Sequence, residues 1–206
     1  MFDLDEERPA ALITGASSGI GRAFAEKLGR RGYDLVLVAR RRERLEALAG
    51  ELRDGREIQV ETITADLANP RDLEQVTSRI DSGSFSLVVN NAGFGAYGEF
   101  TELERRRQLE MIDVNVRALT AIAHAALQAM KAAGTGTLIN VGASSGFQPG
   151  PYVATYAATK AYVLSLSEAL HEEAHAHGVT VTCVCPGWCA PSSRKWLAST
   201  PRTGRT

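Results

Sequence analysis

The residues with the most specific chemistry in this chain are Tyr156 and Lys160, which stand four positions apart. A phenol with an unperturbed pKa of about 10 is a poor proton carrier at neutral pH, and a nearby cation stabilises its phenolate form. Because positions four apart share one face of an α-helix, the ammonium group of Lys160 is expected beside the phenol of Tyr156. The pair is therefore suited to moving a proton to or from a substrate oxygen.

A glycine-rich segment near the start of the chain has the spacing of a phosphate-binding turn. An apolar run ends at Thr14, and glycines follow it before an amphipathic stretch begins. Glycines let the backbone approach a pyrophosphate, and the N-terminus of the next helix offers free N–H groups and a positive dipole end. The residues predicted to hold the phosphates are Gly15, Ser17, Ser18, Gly19, Ile20 and Gly21. Together, the turn and the proton-transfer pair indicate hydride transfer between a nicotinamide and a carbonyl or alcohol.

The end of the second predicted strand indicates which nicotinamide dinucleotide is bound. An Asp or Glu at this place binds the ribose hydroxyls of NAD, whereas a nearby Arg accommodates the additional phosphate of NADP. In this chain Ala39 is followed by Arg40 and Arg41, and the first acid is Glu43. Guanidinium groups bind phosphate through forked donors, so the sequence predicts NADP. The alternative is that the arginines form a solvated, basic start to the next helix.

Composition excludes several classes of function. The chain has 206 residues, 44% of them hydrophobic, which suits one domain with a substantial core. Its formal net charge of −1 gives no reason to expect a nucleic-acid partner. Residues 1–9 form an acidic leader without an apolar signal core, and no apolar run is long enough to span a bilayer. We therefore expect a cytoplasmic protein without a membrane partner.

Apolar runs alternate with amphipathic stretches along most of the chain. This alternation predicts an α/β fold, a doubly wound parallel sheet in a single domain over residues 10–189, followed by a basic tail of poor order over 190–206. The predicted strands are 10–14, 34–39, 58–64, 85–90, 136–141 and 179–185. The predicted helices are 20–31, 42–53, 70–80, 102–133 and 155–177.

With these features, the chain resembles the short-chain dehydrogenase/reductase family. The matching segments occur in the family's order over residues 10 to about 188. They are Thr14-Gly15-x-x-x-Gly19-Ile20-Gly21, Asn90-Asn91-Ala92-Gly93, Asn115, Tyr156-x-x-x-Lys160 and Pro186-Gly187. The resemblance implies a Rossmann fold and a small-molecule carbonyl or alcohol as substrate. It also implies a homodimer formed through the long helices.

The resemblance also assigns roles to individual residues. Tyr156 would be the proton donor or acceptor, Lys160 would bind the nicotinamide ribose and lower the Tyr156 pKa, and Asn115 would hold a water linking Lys160 to solvent. Asp66 and Leu67 would lie at the adenine. The other cofactor contacts implied are Asn91, Ala92 and Gly93 near the adenosine ribose, and Pro186 and Gly187 near the nicotinamide.

Two departures from the family pattern bear on activity. The serine that polarises the carbonyl usually stands thirteen residues before the tyrosine, and this position is Ala143, with Ser144 and Ser145 next. We expect a one-residue shift in the loop to bring Ser144 into place. The family also continues beyond the Pro-Gly turn with helices over the substrate and a last strand, for which the sequence after residue 187 has no apolar counterpart. The alternative function is therefore a cofactor-binding protein with little or no activity.

Two further patterns suggest metal binding, and we predict no metal at either. His171-Glu172-Glu173-Ala174-His175 fits the His-Glu-x-x-His pattern of zinc proteases, but we expect it at the solvated far end of the tyrosine helix. Cys183 and Cys185 alternate along an apolar run, so they point to the same face of a strand. With Cys189 as the third cysteine, we expect them to be small, buried apolar residues.

Overall fold

The computed structural model describes residues 8–187, and its centre is a six-stranded, fully parallel sheet. The strands follow the order β3-β2-β1-β4-β5-β6. They are β1 (Ala10–Thr14), β2 (Asp34–Ala39), β3 (Val60–Thr64), β4 (Leu87–Asn90), β5 (Gly136–Val141) and β6 (Val179–Val184). The predicted tail over 190–206 and most of the predicted leader lie outside the described residues. The doubly wound α/β fold that the sequence predicted is confirmed.

Helices connect the strands. They are α1 (Gly19–Gly29), α2 (Arg42–Arg53), α3 (Pro70–Asp81), α4 (Arg105–Ile112), α5 (Leu119–Ala133) and α6 (Ala154–His175). A π-helical segment, Asp113–Ala118, joins α4 to α5, so that 105–133 is one helix with a widened turn. A short 3₁₀ turn, Ser144–Phe147, follows β5. The long helix was predicted from the sequence, whereas the widened turn and the 3₁₀ turn were not.

The sheet has an apolar core on each face, which explains the continuous apolar runs in its central strands. Leu12 of β1 and Val36 of β2 belong to one buried cluster, together with side chains of α3 and α5. Ile13 and Leu37, one position further along each strand, belong to the second cluster, with side chains of α1 and α2. Because successive side chains of a strand point to opposite faces, a strand covered on both sides must be apolar at every position.

The strand order reverses between β1 and β4, and this reversal places the site. Connections from neighbouring strands leave in opposite directions there, and a crevice opens at the carboxyl ends of the strands. Thr14 ends β1 and Asn90 ends β4, so both flank the crevice. Within residues 8–187, no helix combines the length and hydropathy needed to cross a membrane.

Candidate functional site

A cavity of about 670 Å³ lies along the carboxyl ends of the strands. Its volume is in the range of sites that hold small molecules and cofactors. Of the site residues predicted from the sequence, all except Gly21 and Asn115 line it. It runs from the glycine turn and the arginines after β2 to Tyr156, Lys160, Pro186 and Gly187. The structure therefore brings both ends of the predicted site together in one cavity.

The glycine turn is tight because neighbouring backbone segments occupy the space of a side chain. Gly15 and Gly19 have φ values of +67° and +57°, a region that favours glycine. A Cβ at Gly21 would clash with the carbonyl oxygen of Gly15 and would lie 2.6 Å from Nδ2 of Asn91. Helix α1 starts at Gly19, and its N-cap, Ser18, makes no side-chain capping bond. The first N–H groups of α1 therefore remain available to an anion.

Arg41 reaches from the start of α2 to this turn. Its Nη2 donates to the hydroxyl oxygens of Ser17, at 3.0 Å, and Ser18, at 2.6 Å. Partial burial lowers the Arg41 pKa, and the like charges of Arg44 and Arg40 lower it further. An arginine nevertheless keeps its charge in proteins, so a guanidinium with hydroxyls beside it stands at the phosphate end of the cavity.

Thr14 and Asn91 connect β1 to the segment after β4. The fully buried Thr14 hydroxyl accepts hydrogen bonds from the backbone N–H groups of Asn91 and Ala92, both at 2.9 Å. In return, Nδ2 of Asn91 donates to the Thr14 carbonyl oxygen at 2.8 Å. These bonds fix the cavity wall where the adenosine ribose was predicted. Asp66, also in the wall, accepts a bond from the Ala68 N–H through Oδ1 at 3.1 Å.

Tyr156 and Lys160 lie at the other end of the cavity, one turn apart on α6. The Lys160 ammonium donates to the carbonyl oxygen of Val141 at 2.7 Å and lies 5.8 Å from the centroid of the Tyr156 ring. Burial lowers the Lys160 pKa to about 8, an effect that the neighbouring Cys183 and Cys185 oppose. Burial raises the pKa of Tyr156, whereas the family resemblance implies that Lys160 lowers it. Desolvation of the phenol accounts for the direction of this shift.

Asn115 is fully buried in the π-helical segment. Its side chain holds the loop after β4, which packs against the ring of Tyr156. Its Oδ1 accepts from the Phe94 N–H at 3.1 Å, and its Nδ2 donates to the Phe94 carbonyl at 2.9 Å and to the Thr159 hydroxyl at 3.0 Å. Thr159 in turn donates to the Tyr156 carbonyl at 2.7 Å. Sequence reasoning missed Thr159, although its hydroxyl stands inside the Tyr-x-x-x-Lys motif.

The loop after β5 presents Ala143, Ser144 and Ser145 to the cavity. Ala143 is buried, so a methyl group occupies the wall where the family pattern has a hydroxyl. Ser144 is exposed, and its N–H donates to the Pro186 carbonyl at 2.9 Å. The Ser145 hydroxyl is buried without a hydrogen-bond partner. Two serine hydroxyls therefore follow the alanine at position 143. Ser144 is exposed, and the hydroxyl of Ser145 is buried.

Four aromatic residues stand in the loops whose other residues line the cavity. Phe94 lines it, with the Arg107 guanidinium 3.9 Å from the centroid of its ring. Tyr97 and Tyr152 stack with ring centroids 5.8 Å apart, and both are exposed. Phe147 is 66% exposed. Of these four residues, Phe94 alone is among those that line the cavity.

The residues of the two patterns that resemble metal sites are not among those that line the cavity. His171 is on the C-terminal half of α6, where its Nδ1 is 2.9 Å from the Val181 carbonyl oxygen. Its ring centroid is 6.3 Å from that of His175. The prediction that Cys183 and Cys185 are buried was wrong. Both are partly exposed free thiols because they stand at the end of β6, an outer strand of the sheet.

Comparisons with known proteins agree with this geometry. The chain is 42% identical to a short-chain dehydrogenase from Sphingobium yanoikuyae in complex with NADPH, with a TM-score of 0.86 over 88% of this chain and 72% of the other. It is 39% identical to the bulky-bulky ketone specific alcohol dehydrogenase from Comamonas testosteroni, with a TM-score of 0.85 over 87% and 72% of the two chains.

Among curated relatives, the chain is 29% identical to the human inactive hydroxysteroid dehydrogenase-like protein 1 over 93% of its own length. It spans 54% to 62% of the length of the first vertebrate relatives that it matches. The sequence profile described as short chain dehydrogenase matches residues 9–201. The cavity, the order of the motifs along the chain and this match agree with one another. The chain belongs to the short-chain dehydrogenase/reductase family.

Proposed function

We propose that this protein is an oxidoreductase that uses NADP to transfer a hydride to or from a small carbonyl or alcohol substrate. The observation that carries the proposal is that one cavity joins the glycine turn with its arginine to Tyr156 and Lys160. A bound nicotinamide would donate the hydride to a carbonyl or accept it from an alcohol, and the other roles in the reaction fall to side chains of this chain.

The preference for NADP is argued from Arg41. Its guanidinium lies over the serines of the glycine turn, within the cavity, and no acidic residue stands between β2 and Glu43. A carboxylate at the end of β2 would repel a phosphate, whereas a guanidinium binds it with charge-assisted hydrogen bonds. Arg40 is exposed and also lines the cavity, so it adds positive charge to the same end.

Proton transfer is assigned to Tyr156. A neutral phenol donates to a carbonyl oxygen that gains negative charge, and raising its pKa by burial keeps it protonated in the resting site. Lys160 lies one helical turn away, with its ammonium at the cavity wall, where it stabilises the phenolate left behind. Asn115 uses both N–H groups of its side-chain amide in hydrogen bonds within the protein. A relay water would therefore bind to the side-chain oxygen Oδ1, which has two lone pairs and accepts one bond from the Phe94 N–H.

A hydroxyl that polarises the substrate oxygen is assigned to Ser144. It stands at the start of the 3₁₀ turn and lines the cavity, and its backbone is tied to Pro186 at the predicted nicotinamide end. The neighbouring wall is apolar, with Phe94, Val114 and Val153 among its residues. These residues support an organic carbonyl compound with apolar substituents. The Comamonas testosteroni relative is, by its name, specific for bulky-bulky ketones.

A cofactor-binding protein with little or no activity is the second candidate function. Ala143 favours it because a methyl group stands where the family carries its serine. A related human protein is named inactive. The two candidates differ in one measurement, the oxidation of NADPH with a panel of aldehydes and ketones under conditions in which NADPH binding has been demonstrated. Binding without turnover across the panel would favour the second candidate.

The assembly and location that we propose are a homodimer in the cytoplasm. Leu109 and Ile112 on α4 and Tyr162 on α6 are exposed large apolar residues on the long helices, and a second copy would cover such side chains. Cys183 and Cys185 lie side by side as free thiols, which is the state favoured in a reducing compartment.

Replacing Arg41 with Ala tests the choice of cofactor. We expect NADPH to bind about 10 to 100 times more weakly, because hydrogen bonds to a charged partner are worth roughly 1.5 to 3 kcal/mol, while NADH binding changes little. Titration calorimetry with both cofactors measures this. The matched control is Arg42→Ala, because Arg42 pairs with Glu46 along α2. Equal affinities of the parent for NADPH and NADH would contradict the proposal.

Replacing Tyr156 with Phe keeps the ring and removes the proton. Turnover should fall by about two to four orders of magnitude, the usual contribution of a general acid, while the NADPH dissociation constant stays near that of the parent. The control is Tyr162→Phe on the same helix, whose hydroxyl bonds to Thr120. Turnover of Tyr156→Phe within a few-fold of the parent would exclude the assigned role.

Replacing each serine in turn tests the assignment of the hydroxyl. Ser144→Ala should lower turnover by about two to three orders of magnitude, as the loss of one preorganised donor does in other enzymes, and Ser145→Ala should leave it near the parent value. Steady-state rates at saturating NADPH give both numbers. The opposite ranking would move the role to Ser145, and no effect in either variant would support the inactive candidate.

The Lys160 pKa makes the stability of the cofactor-free protein depend on pH. Between pH 8 and 10.5 the unfolded chain binds a proton at this lysine and the folded chain does not, so the free energy of unfolding should rise with pH. The rise due to Lys160 is about 3 kcal/mol, and Lys160→Met should lack it. Urea unfolding of both proteins from pH 7.5 to 10.5 measures the difference. Parallel curves would show that the lysine is not desolvated.

A further inference from the structure

Gln108 is a buried amide that has no part in the proposed reaction as described so far. It lies on α4 with a relative exposure of 8%, and it is not among the residues that line the cavity. Burying a side-chain amide is costly unless its polar atoms are hydrogen-bonded. The partners of this amide therefore indicate what Gln108 does in the folded chain.

The side chain of Gln108 connects two segments of the site. Its Nε2 donates to the carbonyl oxygen of Phe100 at 2.9 Å and to that of Leu103 at 3.5 Å, both in the loop between β4 and α4. Its Oε1 accepts from the hydroxyl of Thr155 at 2.6 Å. Thr155 immediately precedes Tyr156 in the first turn of α6. One amide therefore bridges the loop and the helix that carries the proton donor.

A similar arrangement follows Tyr156 on α6. Asn115 lies in the same continuous helix as Gln108, binds the start of the same loop and donates to the hydroxyl of Thr159. Thr155 and Thr159 are four residues apart, so they share one face of α6. Two amides from one helix therefore bind a threonine before Tyr156 and a threonine after it, and each amide also holds one end of the loop.

The start of α6 depends on contacts with this loop. Its N-cap, Val153, makes no side-chain capping bond. The Gly98 N–H of the loop donates to the Tyr152 carbonyl oxygen at 2.8 Å, and the rings of Tyr97 and Tyr152 stack. Within residues 8–187, Tyr152 is the one residue other than glycine with a positive φ, +63°. Because such a conformation persists only where surrounding contacts hold it, the entry to α6 is fixed by the loop and not by a local cap.

Building on the proposed function, in which Tyr156 transfers the proton, we propose that Gln108 is a positioning residue for Tyr156 that acts through Thr155. The bond between Gln108 and Thr155 sets the place of the first turn of α6 relative to residues 94–96 of the loop, which line the cavity. The phenol must come within hydrogen-bond reach of the substrate oxygen to transfer its proton. A displacement of about 1 Å at a reacting group can cost about two orders of magnitude in rate.

Steady-state kinetics of four variants test the role of this bond. Thr155→Val removes the hydroxyl and keeps the shape of the side chain, and Gln108→Leu removes the amide. Each should lower kcat about 10- to 100-fold at saturating NADPH and leave KM near the parent value, because the bond acts on the geometry of proton transfer. Thr155→Ser keeps the hydroxyl and should restore kcat. The double variant of Gln108→Leu and Thr155→Val should lose no more than the more damaging single change, since both remove the same bond.

A matched control and a spectroscopic measurement separate positioning from general stability. Ser167 is a buried residue of α6, about three turns after Tyr156, and its hydroxyl accepts from Nδ2 of Asn140 at 3.0 Å. Ser167→Ala should lower the thermal unfolding midpoint and leave kcat near the parent value. NMR of protein with ¹³C-labelled tyrosine rings reports on Tyr156 without any turnover, since its signal is identified by its loss in Tyr156→Phe. That signal should shift in Thr155→Val and Gln108→Leu, and it should keep its parent position in Thr155→Ser and Ser167→Ala.

The two measurements can fail independently of the proposed function. A Tyr156 signal at its parent position in both Thr155→Val and Gln108→Leu would overturn the positioning role, whether or not the chain reduces carbonyls. In an active parent, so would an unchanged kcat in both variants, or a loss of kcat in Ser167→Ala as large as that in Thr155→Val. A parent that turns over no carbonyl compound would contradict the proposed function alone, because the tyrosine signals would still decide whether Gln108 and Thr155 position Tyr156.

Discussion

The site depends on the link between Thr14 and Asn91. One buried hydroxyl accepts two backbone N–H groups, and the amide of Asn91 returns a bond to the Thr14 carbonyl oxygen. Thr14 ends β1 and Asn91 immediately follows β4, so the link joins the two strands at the point where the strand order reverses and holds the crevice between them. Gly15 and Gly21 pack against the same amide, so the phosphate turn takes its position from this link as well.

A second network fixes the end of the cavity at Tyr156 and Lys160, as the link from Thr14 fixes the end at the glycine turn. Asn115 bonds to the backbone of Phe94 and to Thr159, and Thr159 bonds to the carbonyl of Tyr156. The loop after β4 is therefore tied to α6, the helix that carries Tyr156 and Lys160. Gly95 completes this contact, since a Cβ there would lie 3.0 Å from the Tyr156 ring. Buried polar groups of this kind are costly unless satisfied, which makes such networks specific as well as stabilising.

Local patterns made most of the fold and much of the site predictable from the sequence. Apolar runs such as that of β2, the glycines after Thr14 and the Tyr156–Lys160 spacing are all local signals, and their strands, turn and helix are where they were expected. Features that depend on contacts between distant segments were missed. The bond from Arg41 to the serine hydroxyls, the fit of Asn115 to Thr159 and the exposure of Cys183 at an outer strand depend on the assembled sheet. The effect of burial on the Tyr156 pKa was missed for the same reason.

The π-helical segment between α4 and α5 has a consequence for how the chain can vary. A π-helical turn takes up one more residue than an α-helical turn, so everything beyond it is rotated by about 100° relative to an unbroken helix. The segment contains Asn115, and its buried side chains are Val114, Asn115 and Ala118. If the same residues wound as a regular α-helix, either Asn115 or the core face of α5 would turn away from its partners. Substitutions that favour regular winding in this segment are therefore expected to cost the contacts of one of the two faces.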